Sequence, residues 1–83
     1  MEGLLKDYEF YLRIERAMSR NTVASYCSDV RKFLSFTDVR PEQVESDDVI
    51  EYLSAMYKLS ERTQARLLSA LRNFYDWMRL EGA

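Results

Sequence analysis

Histidine is absent from this sequence of 83 residues, and cysteine occurs once, as Cys27. One thiol without any imidazole excludes an internal disulfide and leaves no ligand set for a zinc site. The usual general base of enzyme catalysis is missing as well, and no glycine-rich phosphate loop occurs. We therefore expect no catalytic residue, no metal site and no cofactor in this chain.

Glycine and proline are scarce, since the chain has two of the former and one of the latter. Both residues are needed for tight turns, hairpins and bulges. Their scarcity indicates long helices joined by short connections, so we predict an all-α fold. The content of 47% hydrophobic and 31% charged residues is typical of a soluble globular protein, and the length fits one small domain over residues 1–83.

Long apolar runs are missing too. No segment approaches the roughly 20 apolar residues that a membrane span needs, and the first residues lack the basic region and apolar stretch of a signal peptide. These features predict a cytoplasmic protein that does not contact a membrane. Cys27 lies on an apolar helix face, where we expect it to behave as a small buried hydrophobe.

Hydrophobic periodicity predicts four amphipathic helices. Their expected ranges are residues 4–17, 22–36, 47–58 and 61–80. Ser19 or Asn21 is expected to cap the second helix. Ser46 and Ser60 are the expected caps of the third and fourth, and Gly82 is the expected stop of the last.

The apolar positions of these helices predict the core of the domain. The first helix is expected to have a broad aromatic face, with Leu5, Tyr8, Leu12 and Glu15 at helical spacing and Tyr11 and Ile14 alongside. The predicted core of the other three helices consists of Tyr26, Val30, Phe33, Leu53, Leu67, Leu71, Phe74 and Met78.

A narrow polar stripe follows the fourth helix opposite Leu71, formed by Arg62, Arg66, Ser69 and Asn73. A helix fits the major groove of DNA, where arginine bridges O6 and N7 of guanine and asparagine bridges N6 and N7 of adenine. From spacing alone, however, a merely solvated face is the commoner explanation of such a stripe. Asp76 continues the stripe with the wrong sign, which limits any contact surface to the first half of the helix.

The order of residues from about Leu5 to Leu80 is more informative than any single helix. Three segments carry it: Tyr11-Leu12-x-x-Glu15-Arg16-x-x-Ser19-x-Asn21-Thr22, Tyr26-x-x-Asp29-Val30-x-x-Phe33-Leu34-x-Phe36, and Ala65-Arg66-Leu67-Leu68-Ser69-Ala70-Leu71-Arg72-x-Phe74-Tyr75-x-Trp77-Met78. A shorter one is Ser46-Asp47-Asp48-Val49-x-x-Tyr52-Leu53. In this order and spacing, the chain resembles the core-binding domain of Xer-type and phage-type tyrosine recombinases.

The resemblance implies a four-helix, SAM-like bundle that clamps one side of a recombination half-site with its second and fourth helices. It implies that a separate carboxy-terminal domain, which this chain lacks, holds the catalytic Arg, His and Tyr, so the chain itself is not expected to be an enzyme. The implied partners are double-stranded DNA and other recombinase protomers in the synaptic complex. The implied DNA-facing residues are Arg20, Asn21, Thr22, Ser25, Ser28, Lys32, Ser60, Arg62, Thr63, Arg66 and Asn73.

Some features depart from this family pattern. Cys27 and Ser28 stand where many relatives have two basic residues, and Ala17 replaces a common glycine. The net charge of −2 is also unusual for a DNA-binding domain. An alternative therefore stays open, namely a helical protein–protein interaction module of SAM-like or death-domain-like type. Asn21 and Thr22 fit helix capping equally well, and Asp29 fits a structural role.

Overall fold

The computed structural model describes residues 2–81, which form four α-helices and no strand. The helices are α1 Glu2–Phe10, α2 Arg20–Phe36, α3 Ser46–Ala55 and α4 Glu61–Leu80. A π-helical turn, Tyr11–Glu15, continues α1, and a short 3-10 turn, Pro41–Gln43, precedes α3. The predicted all-α, four-helix architecture is confirmed. The predicted stop at Gly82 lies outside the described residues.

The first helix is not the uniform α-helix that the sequence predicts. Its last part widens into the π turn, where the Arg16 N–H donates to the Tyr11 carbonyl at 3.0 Å. Ala17 then takes the left-handed conformation, with a φ of 50°. Ile14, which was expected alongside the apolar face, is exposed, because nine residues of helix place it about 180° away from Leu5. The apolar spacing before Tyr11 gives no sign of the π turn, because an inserted residue does not alter the spacing that precedes it.

Serine caps begin two of the helices as predicted. The Ser19 and Ser60 hydroxyls each accept a hydrogen bond from a threonine N–H three residues later, at 3.2 Å in both cases. The third cap is a correction, because Glu45 rather than Ser46 is the N-cap of α3. The Glu45 N–H donates to the Asp48 carboxylate at 2.9 Å, which moves the helix start back by one residue. The helix also ends at Ala55, before the predicted limit at Lys58.

The core contains most of the residues that the apolar pattern predicts. Six of the eight predicted core residues of the last three helices are buried: Val30, Phe33, Leu67, Leu71, Phe74 and Met78. Tyr26 and Leu53 are half-buried and pack against that core. Leu5, Tyr8 and Leu12 bring α1 and the π turn into the same cluster.

Trp77 is a buried core residue that the apolar face of α4 does not include. On a helical wheel it lies away from Leu71, on a side of α4 that α1 covers. Its ring centroid is 5.3 Å from that of Tyr8 and 6.0 Å from that of Tyr11. A second buried side of α4 therefore exists because α1 lies across it. None of the described helices is long and apolar enough to span a bilayer.

Candidate nucleic-acid interface

The two helices with candidate DNA-facing residues, α2 and α4, begin in the same way. Each starts with a Ser-x-x-Thr segment in which the serine hydroxyl also donates to the threonine hydroxyl. These contacts are 2.9 Å for Ser19–Thr22 and 3.0 Å for Ser60–Thr63. The paired hydroxyls hold the first turn of each helix, while the other N–H groups of that turn have no partner within the helix and are the kind that bind anions.

Arg66 makes a two-pronged ion pair with Asp29 of α2. Its Nε donates to Asp29 Oδ2 at 2.8 Å, and its Nη2 donates to Oδ1 at 3.0 Å. Asp29 is 1% exposed, whereas the Arg66 side chain is 45% exposed. The hydrogen bonds to Asp29 raise the pKa of the Arg66 guanidinium. Arg66 is thus not a freely solvated member of the polar stripe, contrary to the expectation from the helical wheel.

Asn73 is also engaged within the protein. Its side-chain oxygen accepts a hydrogen bond from the Tyr8 hydroxyl at 2.6 Å, and the residue is half-buried. It follows Arg62 by eleven residues, a rise of about 16 Å along the helix axis. The stripe on α4 is therefore divided, with Arg62 near the start and Asn73 packed against α1.

The remaining predicted DNA-facing residues lie at or near the surface of α2 and the start of α4. Six of them are exposed: Arg20, Asn21, Ser28, Lys32, Ser60 and Arg62. Three are half-buried: Thr22, Ser25 and Thr63. Thr22 and Thr63 belong to the capping pairs, so Thr22 has the helix-capping role that its position also fits. The cap residue of α2 is Ser19 and not Asn21.

Charge is distributed unevenly over the molecule. Together, α2 and α4 contain seven basic and three acidic side chains, a net charge of +4. One of those three acids is Asp29, which Arg66 neutralises. By contrast, the segment over residues 42–51, which includes most of α3, has five acidic side chains and no basic one. The overall charge of −2 is therefore the sum of a positive pair of helices and a more negative remainder. A bound polyanion responds to the charge of the surface that faces it and not to the total.

Two tyrosines are placed where a phenolate is disfavoured. Tyr8 is fully buried, and burial raises the pKa of its phenol. Burial, together with the charges of Asp48 and Glu42, also raises the pKa of Tyr75. The Tyr75 hydroxyl has no hydrogen-bond partner among the described residues. For Tyr8 the effect of burial outweighs the nearby positive charge of Arg16, so neither phenol is placed to act as a nucleophile.

The pairing of Asp29 with Arg66 is the feature of this site that sequence reasoning missed. A signal for it does exist in the sequence. Asp29 lies three residues after Tyr26 and four before Phe33, so it occupies the edge of an apolar face. A carboxylate at such a position requires a partner when it is buried. Which partner it finds depends on how α2 and α4 cross.

The family model described as "Phage integrase, N-terminal SAM-like domain" matches residues 5–82. The chain belongs to this family. It is 33% identical to a tyrosine recombinase of Thermosipho africanus over 89 residues, covering 99% of this chain and 31% of that protein. It is 30% identical to tyrosine recombinase XerD of Listeria monocytogenes, covering 99% of this chain and 30% of that protein. No solved structure matches significantly.

These comparisons confirm the resemblance that the sequence motifs indicate. The chain is also 33% identical to tyrosine recombinase XerD of Lacticaseibacillus casei, covering 100% of this chain. It spans about 30% of the length of the curated relatives it matches. The shared region is therefore a domain-sized part of each recombinase.

Proposed function

We propose that this domain grips duplex DNA for a site-specific tyrosine recombinase, clamping one side of a recombination half-site through α2 and α4. The observation that carries the proposal is that Arg20, Lys32 and Arg62 are exposed on α2 and the first turn of α4, in a chain whose total charge is −2. Basic side chains on a helix surface neutralise backbone phosphates and release their counterions. Family membership supplies the recombination context.

The proposed contact surface consists of the solvent-facing residues of α2 and the first turn of α4. Arg20, Lys32 and Arg62 provide the positive charge for phosphate contacts. Asn21 and Ser28 are exposed hydrogen-bonding groups between them. Ser25, Thr22, Ser60 and Thr63 complete the surface and fix the helix starts.

Two of the DNA-facing residues that the family resemblance implies have other roles. Asn73 serves the contact between α4 and α1, because its oxygen is used by Tyr8. Arg66 is held by the buried carboxylate of Asp29. This narrowed surface places the proposed contacts in the first half of α4, before Asp76.

We further propose that this domain takes no part in the chemistry of recombination. In that arrangement, the part of the relatives' length that this chain does not cover supplies the catalytic groups. Other protomers of the recombinase are its protein partners in the synaptic complex, and the reaction takes place on DNA in the cytoplasm.

Fluorescence anisotropy with a labelled duplex, measured over a range of salt concentrations, tests this proposal. Replacing both Arg20 and Arg62 with glutamine is expected to lower the slope of log affinity against log salt by about 1.8, since each phosphate contributes about 0.9. The double replacement of Arg13 and Arg16 changes the charge equally outside α2 and α4, so the slope is expected to stay nearly constant.

A slope that the Arg20 and Arg62 replacement leaves unchanged would show that binding does not use these two residues of α2 and α4. Absence of binding by the unmodified domain, even at low salt, would favour the protein-interaction alternative. That alternative has one structural feature of its own, a groove of about 700 Å³ between α3 and α4 that is lined by both apolar and charged residues. Val49, Leu53 and Tyr75 are among its lining residues.

A further inference from the structure

Asp29 is an unusual side chain for the interior of a small domain. It is the only charged side chain that is buried among residues 3–81, and it lies in the middle of α2. Removing a carboxylate from water is costly unless another charge and good hydrogen bonds compensate for it. Arg66 provides both, through two nearly ideal hydrogen bonds from the fork of its guanidinium.

The ion pair lies directly beneath the proposed DNA-contacting residues. Ser25 and Lys32 lie four residues before and three after Asp29, so they are its neighbours on the surface of α2. On α4, Arg62 lies one turn before Arg66. The pair therefore connects α2 to α4 between the two rows of proposed contacts.

We propose that Arg66 is a positioning residue for DNA binding, which sets the first turn of α4 against α2 through Asp29 and does not itself neutralise a phosphate. This inference rests on the proposed function, because it assigns a role within the same surface. Arg66 has a second effect there, since it cancels the negative charge of Asp29 beneath a surface meant for a polyanion.

Two variants separate positioning from direct phosphate contact. R66K keeps the charge but loses the planar fork, and a lysine still binds phosphate as a point charge. D29L/R66M replaces the pair with apolar side chains and leaves the net charge unchanged, a kind of exchange that folded proteins often tolerate. R62M is the matched control, because it removes an arginine one turn away that has no role in this pair.

Melting temperature and the salt dependence of duplex binding are measured for these variants and for R66M, which removes the guanidinium and keeps Asp29. R66M is expected to lower Tm by about 10 °C or more, because it leaves Asp29 buried without a partner. R66K is expected to bind DNA about fivefold to tenfold more weakly, with an unchanged salt slope. D29L/R66M is expected to recover Tm and affinity and to keep the original slope, whereas R62M lowers the slope by about 0.9.

Three results would overturn the inference. If D29L/R66M lost as much slope as R62M, Arg66 would be a phosphate contact. If R66K bound DNA like the unmodified domain, the guanidinium fork would have no positioning role. If the unmodified domain did not bind DNA, the proposed function itself would fail and Arg66 would have only the structural role that Tm reports.

Discussion

At the scale of single residues, Ala17 stands out because its backbone is in the left-handed region, with a φ of 50°. This conformation brings the Cβ atom close to the following carbonyl, which costs an L-residue about 1 kcal/mol or more. The residue follows the π turn and redirects the chain toward the Ser19 cap of α2. Glycine, which the family resemblance leads us to expect here, takes this conformation without steric cost.

Ala17→Gly is therefore expected to raise the free energy of unfolding by about 0.5–1 kcal/mol, since glycine takes this conformation without steric cost but adds entropy to the unfolded chain. Urea denaturation followed by circular dichroism measures the change. Ala65→Gly, at an exposed interior position of α4, is the matched control and should lower stability by about 0.5–1 kcal/mol. Equal destabilisation by both changes would show that Ala17 is not strained.

At the scale of elements, the helix starts are fixed by local side-chain contacts. Ser60 caps α4 through the Thr63 N–H, whereas Ser46 is the first helical residue of α3 and Glu45 holds the cap position. Both serines are exposed, so their replacement changes little packing. The two positions thus differ mainly in whether a hydroxyl satisfies a free N–H of the helix.

Ser60→Ala is expected to lower the free energy of unfolding by about 1 kcal/mol, the usual cost of losing a serine cap. Ser46→Ala is expected to cost less than about 0.5 kcal/mol, as for an ordinary surface substitution. Thermal or urea denaturation of both variants provides the comparison. A larger loss at Ser46 than at Ser60 would contradict the observed start of α3.

At the scale of the whole molecule, the distribution of charge matters more than its total. The acidic segment over residues 42–51 and the basic pair α2 and α4 account for the opposing charges. DNA binding by the domain should therefore be weak, because a negative region lies on the same small molecule, and its salt slope should be shallow, because few phosphates are neutralised and each adds only about 0.9 to the slope.

The purified domain is expected to form no covalent adduct with DNA. The phenols of Tyr8 and Tyr75 have raised pKa values because they are buried, and no histidine is present to act as a base. Incubation with a nicked half-site duplex, followed by denaturing electrophoresis, checks this expectation. A full-length recombinase from the same family serves as the positive control, and a tyrosine-linked species formed by this domain alone would contradict it.

The sequence by itself determined the four helices, two of the three predicted caps and most of the core. These features depend on contacts within a few residues, namely helical periodicity and the reach of a serine hydroxyl to the next turn. They are therefore visible in any window of the chain. The family motif is visible for the same reason, because it is an ordered set of local spacings.

Only the tertiary structure decided which polar side chains remain available on the surface. Arg66 and Asn73 look alike on a helical wheel, as residues of one solvated stripe. Their partners are Asp29 and Tyr8, which lie 37 and 65 residues away along the chain. Trp77 is buried for the same kind of reason, because α1 crosses a second side of α4. A local pattern fixes the direction of a side chain from its own helix, but the neighbour it meets depends on how the helices pack.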